Sequence, residues 1–434
     1  MIGTVTAVTV LVPAHATEAR VLRVPEDFPS VLAGVDAAVS DDSVLVGPGT
    51  WNQGETRAVQ VCANFVNRWC VAFLKPGICL IATAGPDATI LDGGPQAGVV
   101  VITVLHNLPG TPPTHVEGFT ITGGGAGVSA GCTSSPLELV NCRIVGNGNA
   151  AISFGECQLR VADCVISDTH VIYRTQGAVA SNSGADVEFI RTRFERNEKG
   201  SVDLLGATRV LVEDCDFVDH HDARSNVVLS SCPDVTIRRS RFFRSTATNH
   251  DLGGGAAFLQ ECTALFEFCT FANDSAPAAH GGAVLVDVAG SYEFRNNTFY
   301  RCYATGNGGA LAAFADNLDF EENVVADCSG PSAVAHFGAG TLTTGCDVYW
   351  ANQNQNFYQW PPAATDIFAD PRFCNAPALD FRVDAASPCL PGNGNPSCTE
   401  LIGALGQGCG VVSIEPLSWG RLKGIYRTEG GDRP

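Results

Sequence analysis

Eight segments of this chain share one pattern, apolar-x-apolar-x-polar-small-x-apolar, at near-constant spacing. They are LELVNCRI (137–144), LRVADCVI (159–166), VEFIRTRF (187–194), VLVEDCDF (210–217), VTIRRSRF (235–242), ALFEFCTF (264–271), YEFRNNTF (292–299) and LDFEENVV (318–325). Degenerate copies surround Phe119 and Cys346, giving nine steps with a mean period of about 25 residues. Each copy alternates with period two, so no helical stripe fits.

The parity within a copy is informative. Positions one and three are apolar, and so are six and eight, as in Val210, Val212, Cys215 and Phe217. Simple alternation would send position six to the opposite face from position three, so the chain must turn a corner between them. Asn141, Asp163, Asp214 and Asn296 fill the intervening fifth position, and these residue types tolerate a left-handed bend. A third apolar stretch follows Gly255, Gly282 and Gly309. Three short strands per turn of about 25 residues describe a parallel β-helix whose inward residues stack on their equivalents. Phe194, Phe217, Phe242, Phe271 and Phe299 form one expected interior ladder. Ten anchored coils at ~4.8 Å give a rod on the order of 45–50 Å, and flanking coils bring the expectation to about 10–12.

The GGA…NNTF repeats resemble those of right-handed parallel β-helix proteins of the pectate-lyase-like and polymorphic outer-membrane-protein type. The opening VPEDFPSVLAGVDAAVSDDSVLVGPGTW (24–51) is similar to the start of secreted bacterial members, and DPRFCNAPALDFRVDAASPCLPG (370–392) to their end. The resemblance implies an all-β, right-handed β-helix over roughly residues 21–346. Phe28, Val31, Leu32, Val35 and Val39 keep helical spacing, which predicts a capping helix over 28–39. Residues 347–410, with Pro361-Pro362, read as the cap of the other end, and 411–434 as a tail that is either a docked helix or a sorting signal. Ile2 to Val12 is apolar and precedes Ala14-His15-Ala16, so residues 1–16 read as a secretory signal peptide.

Composition limits the partners. A formal charge of −19 argues against a nucleic-acid footprint, which needs a basic face. No later segment reaches the length of a membrane span. Eighteen cysteines beside one methionine fit an oxidising compartment, and no C-x-x-C pair points to zinc. Cys142, Cys164, Cys215, Cys269 and Cys346 take the stacked sixth position and read as small apolar filler. Cys302 and Cys328 share a repeat position on consecutive coils and are the best candidate for an inter-coil disulfide. Cys62/Cys70, Cys374/Cys389 and Cys398/Cys409 are candidate local bridges.

The sharpest charge pattern spans three coils: Arg191, Asp214, Arg239 at position five; Arg193, Asp216, Arg241 at seven; Arg196, Asp219, Arg244 at ten. Its plain reading is an outer-face salt-bridge ladder. The resemblance implies another, in which Asp214, Asp216 and Asp219 hold Ca²⁺ against an acidic sugar and Arg193 or Arg241 abstracts a proton. No catalytic motif of that family maps onto these residues one by one. His220-His221-Asp222 and His250-Asp251 read as turn residues or as His–Asp pairs for binding or proton transfer. Asp41-Asp42 reads as turn chemistry. Tyr349, Trp350, Phe357, Tyr358 and Trp360 are either a hydrophobic cap or a platform for sugar rings.

Three functions compete, because fold alone does not choose among them. The first is non-catalytic binding of a polysaccharide, cell-surface glycan or partner, with His220, His221, Trp350, Tyr358 and Trp360 as contacts and no cofactor required. The second is a Ca²⁺-dependent polysaccharide lyase centred on residues 214–219. The third is a structural or adhesive rod. Monomer and trimer are both open.

Overall fold

The structure is a computed structural model that describes residues 18–410 apart from 62–63, 95–98, 106–111, 132–135, 171–176, 182–183, 223, 250–252, 288 and 316. The signal segment 1–16, Cys62, His250-Asp251 and the tail 411–434 therefore lie outside the described residues.

Period-two segments separated by tight corners build three long parallel sheets. The first has 13 strands, from Val21–Val24 to Thr341–Gly345. The second has 12, from Gly49–Trp51 to Val348–Trp350, and the third 12, from Ala72–Leu74 to Gln355–Tyr358. Sequence equivalents stand in register: Val210 pairs with Val235, Phe217 with Phe242 and Val227 with Ala257. The fifth position is left-handed whatever occupies it, with φ of 56° at Asp163, 47° at Arg191, 54° at Phe268 and 62° at Glu322. Side chains outside the Asn/Asp class carry a steric cost there, and the coil-to-coil hydrogen bonds around the corner hold them in place.

The sixth position explains how the corner keeps its backbone groups satisfied. The Cys269 N–H donates to Asn297 Oδ1 (2.9 Å), the Asn297 N–H to Asn323 Oδ1 (2.9 Å) and the Asn323 N–H to Asp347 Oδ1 (2.8 Å). One buried side chain per coil thus accepts from the backbone of the coil before it. The ladder also corrects the last repeat: Asp347, not Cys346, takes the inward place. Cys346 sits on the left-handed corner at φ 55° and is bonded to Cys398. Behind the corner the predicted rings stack. Phe194, Phe217, Phe242, Phe271 and Phe299 follow at 4.7, 4.7, 4.9 and 4.8 Å, nearly parallel.

The N-terminal end is covered by the helix Val31–Ala37, shorter than 28–39, with Ser30 accepting from the Ala33 N–H at its start. Val31 and Val35 enter the core, whereas Val39 lies past the helix and is exposed. A hairpin of Glu55–Val61 and Asn64–Cys70 projects from the first coil. At the other end Trp360 plugs the bore, edge-on to Phe320 at 5.2 Å. The chain then folds back along the outer flank of the second sheet. Phe381, Val383 and Ile402 pack on Phe243, Ala272, Tyr300 and Val348. The Gly403 N–H donates to Glu322 O (2.7 Å) and the Ala404 N–H to Thr298 Oγ1 (3.0 Å).

The cysteine pairing differs from the sequence expectation. Besides Cys346–Cys398, Cys374 is bonded to Cys409, and Cys389 is a buried thiol. Cys302 and Cys328 are also buried thiols, pointing at carbonyls of Tyr300 (3.6 Å) and Ala326 (3.5 Å). Local spacing suggested neighbours, but the fold-back brings Cys398 to a residue 52 positions earlier.

Candidate functional site

The charge pattern resolves into paired guanidinium and carboxylate groups. Arg241 donates from Nε and Nη2 to both oxygens of Asp216 at 2.6 Å each. Arg244 does the same to Asp219 (2.5 and 3.0 Å) and Arg239 to Asp214 (2.9 and 3.3 Å). Arg193 leans on Glu195 at 2.6 Å and reaches Asp216 at 3.6 Å. One coil earlier, Arg191 and Arg196 pair with Asp163 and Asp168, at the same fifth and tenth positions. The ladder thus begins a coil before the pattern read from the sequence. Arg244 holds the Asp219 carboxyl below its ordinary range by hydrogen bonding. Asp214 and Asp219 lie on two different corners, with Asp216 on the strand between them. No group of three or more His, Cys, Asp or Glu side chains among the described residues is gathered for a metal. Calcium at these carboxylates would have to displace three bidentate arginines. Arg241 is more than half exposed, so Arg241→Ala should cost no more than about 1 kcal/mol, read by urea denaturation. A loss of several kcal/mol would contradict the surface-ladder reading.

The predicted binding residues do not share one place. His220 is buried, with Nδ1 at 2.8 Å from Asn197 O and Nε2 at 2.9 Å from Arg224 O, so it braces a turn. Burial pushes its pKa down. His221 is exposed on a short strip beside Thr246. Trp350 lies on the outer flank of the second sheet, Tyr358 on the outer face of the third against Phe337 (5.3 Å), and Trp360 inside the bore.

The outer face of the third sheet holds charged groups that sequence reading missed. Ser129, Ser153, Ala180, Asp203 and Val228 follow one another in register, one per coil. Toward one end the hairpin covers Phe73 and Val100. Toward the other, Val228, Phe258, Leu285 and Ala312 pack beneath Phe314 and Phe337. In between, Arg68 of the hairpin donates to Ser129 Oγ at 2.5 Å. Desolvation lowers the Arg68 pKa, and no carboxylate among the described residues pairs with it. Three coils further on, Arg224 Nη1 lies 3.1 Å from Asp203 Oδ2, both side chains about 15% exposed or less. Arg224 Nε has no acceptor among the described residues. Burial pushes the Asp203 carboxyl up to about 6 against the pull of Arg224. Beside this pair, Lys199 Nζ stands 3.5 Å from Asp222. A signal was present in VDLL (202–205), where one acid interrupts an apolar strand, but its partner lies on a turn of the next coil.

Residues 125–299 match the family model described as "Right handed beta helix region". With three in-register parallel sheets, the chain is a right-handed parallel β-helix repeat protein. Among solved structures it is similar to pectate lyase Pel9A, at 13% identity and a TM-score of 0.44, covering 90% of this chain and 97% of that one. It is also similar to the A-module of the Azotobacter vinelandii mannuronan C-5 epimerase AlgE6, at 12% identity and TM-score 0.39, over 79% and 95% of the two chains. The catalytic domain of a GH87 alpha-1,3-glucanase follows at 8% identity and TM-score 0.36, over 81% and 68%. No curated protein sequence matches the chain.

Proposed function

We propose that this chain is an exported β-helix protein that binds an anionic polysaccharide or cell-surface glycan along the outer face of its third sheet, without cleaving it. The reading is carried by Arg68, a half-buried guanidinium whose hydrogen-bond partner among the described residues is the Ser129 hydroxyl. A half-buried cation with no carboxylate partner among the described residues favours an incoming carboxylate or sulfate, which a guanidinium grips with two parallel hydrogen bonds. Arg224 stands about 14 Å further along the rod, three coil steps away, with small side chains between. An extended chain laid along the axis from Arg68 passes over the Arg224–Asp203 pair. Two disulfides among the described residues and the apolar segment followed by Ala14-His15-Ala16 support export.

The test is calorimetric titration of the protein with polygalacturonate, alginate, hyaluronan and neutral dextran, with and without Ca²⁺. Unsaturated uronate absorbance and new reducing ends are followed in parallel. Binding to an acidic member, weakened tenfold or more by Arg68→Ala, is the expected result. Retention of none of the acidic polymers would overturn it. Asp203, raised to about 6, has a pKa suited to moving a proton. Cleavage abolished by Asp203→Asn would therefore replace binding by catalysis. Cleavage that needs Ca²⁺ and is abolished by Asp216→Ala would restore the lyase reading at the ladder.

A further inference from the structure

We propose a second carbohydrate site, for a neutral pyranose unit, in the cleft between the second sheet and the folded-back segment. The cleft encloses about 330 Å³, enough for a sugar ring. Its floor is Ala326, which stands in register between Tyr300 on the coil before and Trp350 on the coil after. The large-small-large order leaves a gap one side chain wide between two aromatic residues, roughly 10 Å apart along the axis. Trp350 is 42% exposed at the mouth. An indole face left open beside a polar wall suits the C–H face of a pyranose, while the hydroxyls turn to polar groups.

The wall opposite supplies those groups and is rigid. Phe373–Asn375 pairs with the strand Asp380–Asp384, and Cys374 is tied to Cys409. Asn375 caps the short turn Ala376–Ala378. Phe373 and Phe381 hold the Tyr300 ring at 6.1 and 5.2 Å. Into the cleft come Asp370, Arg372 and Asp327. Asp370 spends one oxygen on the Arg372 N–H (2.8 Å), and Asp327 faces Arg301 at 3.4 Å. The Arg372 guanidinium has no carboxylate partner among the described residues. Two carboxylates and two guanidiniums balance, which favours a neutral ligand over the anionic one proposed for the third sheet.

The probes are cellobiose, maltose and lactose, titrated calorimetrically at up to tens of millimolar. At least one should bind, and Trp350→Ala should weaken it by about tenfold, the upper worth of an aromatic contact. Ala326→Leu should abolish binding by filling the floor; because Ala326 is itself only 2% exposed, circular dichroism at the titration temperature checks that this variant is folded. Arg68→Ala should leave it unchanged, which separates this site from the third-sheet face. Binding by none of the three sugars would overturn the proposal, and so would binding that survives both Trp350→Ala and Ala326→Leu.

Discussion

Phe217→Ala should lower stability by about 3–5 kcal/mol, the largest single loss expected in this chain. Phe217 is buried and lies face to face with Phe194 and Phe242, both at 4.7 Å. Removing its ring deletes two stacking contacts and leaves a void the size of a phenyl group. The walls cannot close on it, since in-register backbone pairs hold Phe217 to both neighbouring coils. Phe299, near the end of the ladder, stacks on Phe271 and leans on Phe320 at 6.1 Å, so Phe299→Ala should cost less. Apart from the folded-back segment, each coil contacts only its neighbours, so a weak coil in mid-rod should also split one unfolding transition into two. Denaturant unfolding followed by both circular dichroism and fluorescence tests both points. A loss below about 1 kcal/mol would mean that the rings are not a continuous stack.

The second large effect concerns acidity: the protein should melt at a higher temperature near pH 5 than near pH 7.5. Burial raises the carboxyls of Asp203, Asp274, Asp347 and Asp366 above their ordinary range. Asp274 and Asp347 are fully buried, and each Oδ1 accepts one backbone N–H at 2.8 Å. A group whose folded pKa is raised binds its proton more tightly when folded, so stability falls as pH climbs from the unfolded to the folded value. For Asp203, raised to about 6, the decline runs between roughly pH 4 and 6 and amounts to about 2–3 kcal/mol. For the deeper pair it continues to higher pH. The opposite sign holds for Asp163, Asp168 and Asp219, whose arginines keep them ionised and whose contribution is lost as pH falls below the ordinary carboxylate range. A stability maximum in mild acid results. Asp203→Asn and Asp347→Asn should flatten the alkaline side, and a melting temperature independent of pH between 5 and 7.5 would contradict this account.

The sequence states what repeats and hides what does not. Strand parity, the left-handed fifth position and the phenylalanine ladder were all readable, because each coil reports the same geometry again. The reading slipped by one residue at Cys346, because cysteine fills the sixth position in four earlier copies and mimics the anchor that Asp347 supplies. The fold-back could not be read at all: the Asn296 side chain donates to Leu401 O across 105 positions, and nothing local marks the pair. Candidate sites fared similarly. The ladder of Asp214, Asp216 and Asp219 was visible because it repeats, and it proved to be arginine-paired. Arg68, Asp203 and Arg224 each occur once, on a hairpin, a strand and a turn.

The fold-back also sets an order of assembly. Coils can stack one upon the next while the chain emerges, each finding its partner already in place. The outward strip of Phe243, Ala272, Tyr300, Ala326 and Val348 behaves differently, because its cover arrives only with Phe381, Val383 and Ile402. Until then a nearly complete solenoid carries a greasy seam down one side. A chaperone that recognises apolar stripes can therefore tell a finished molecule from one that still awaits its last strap.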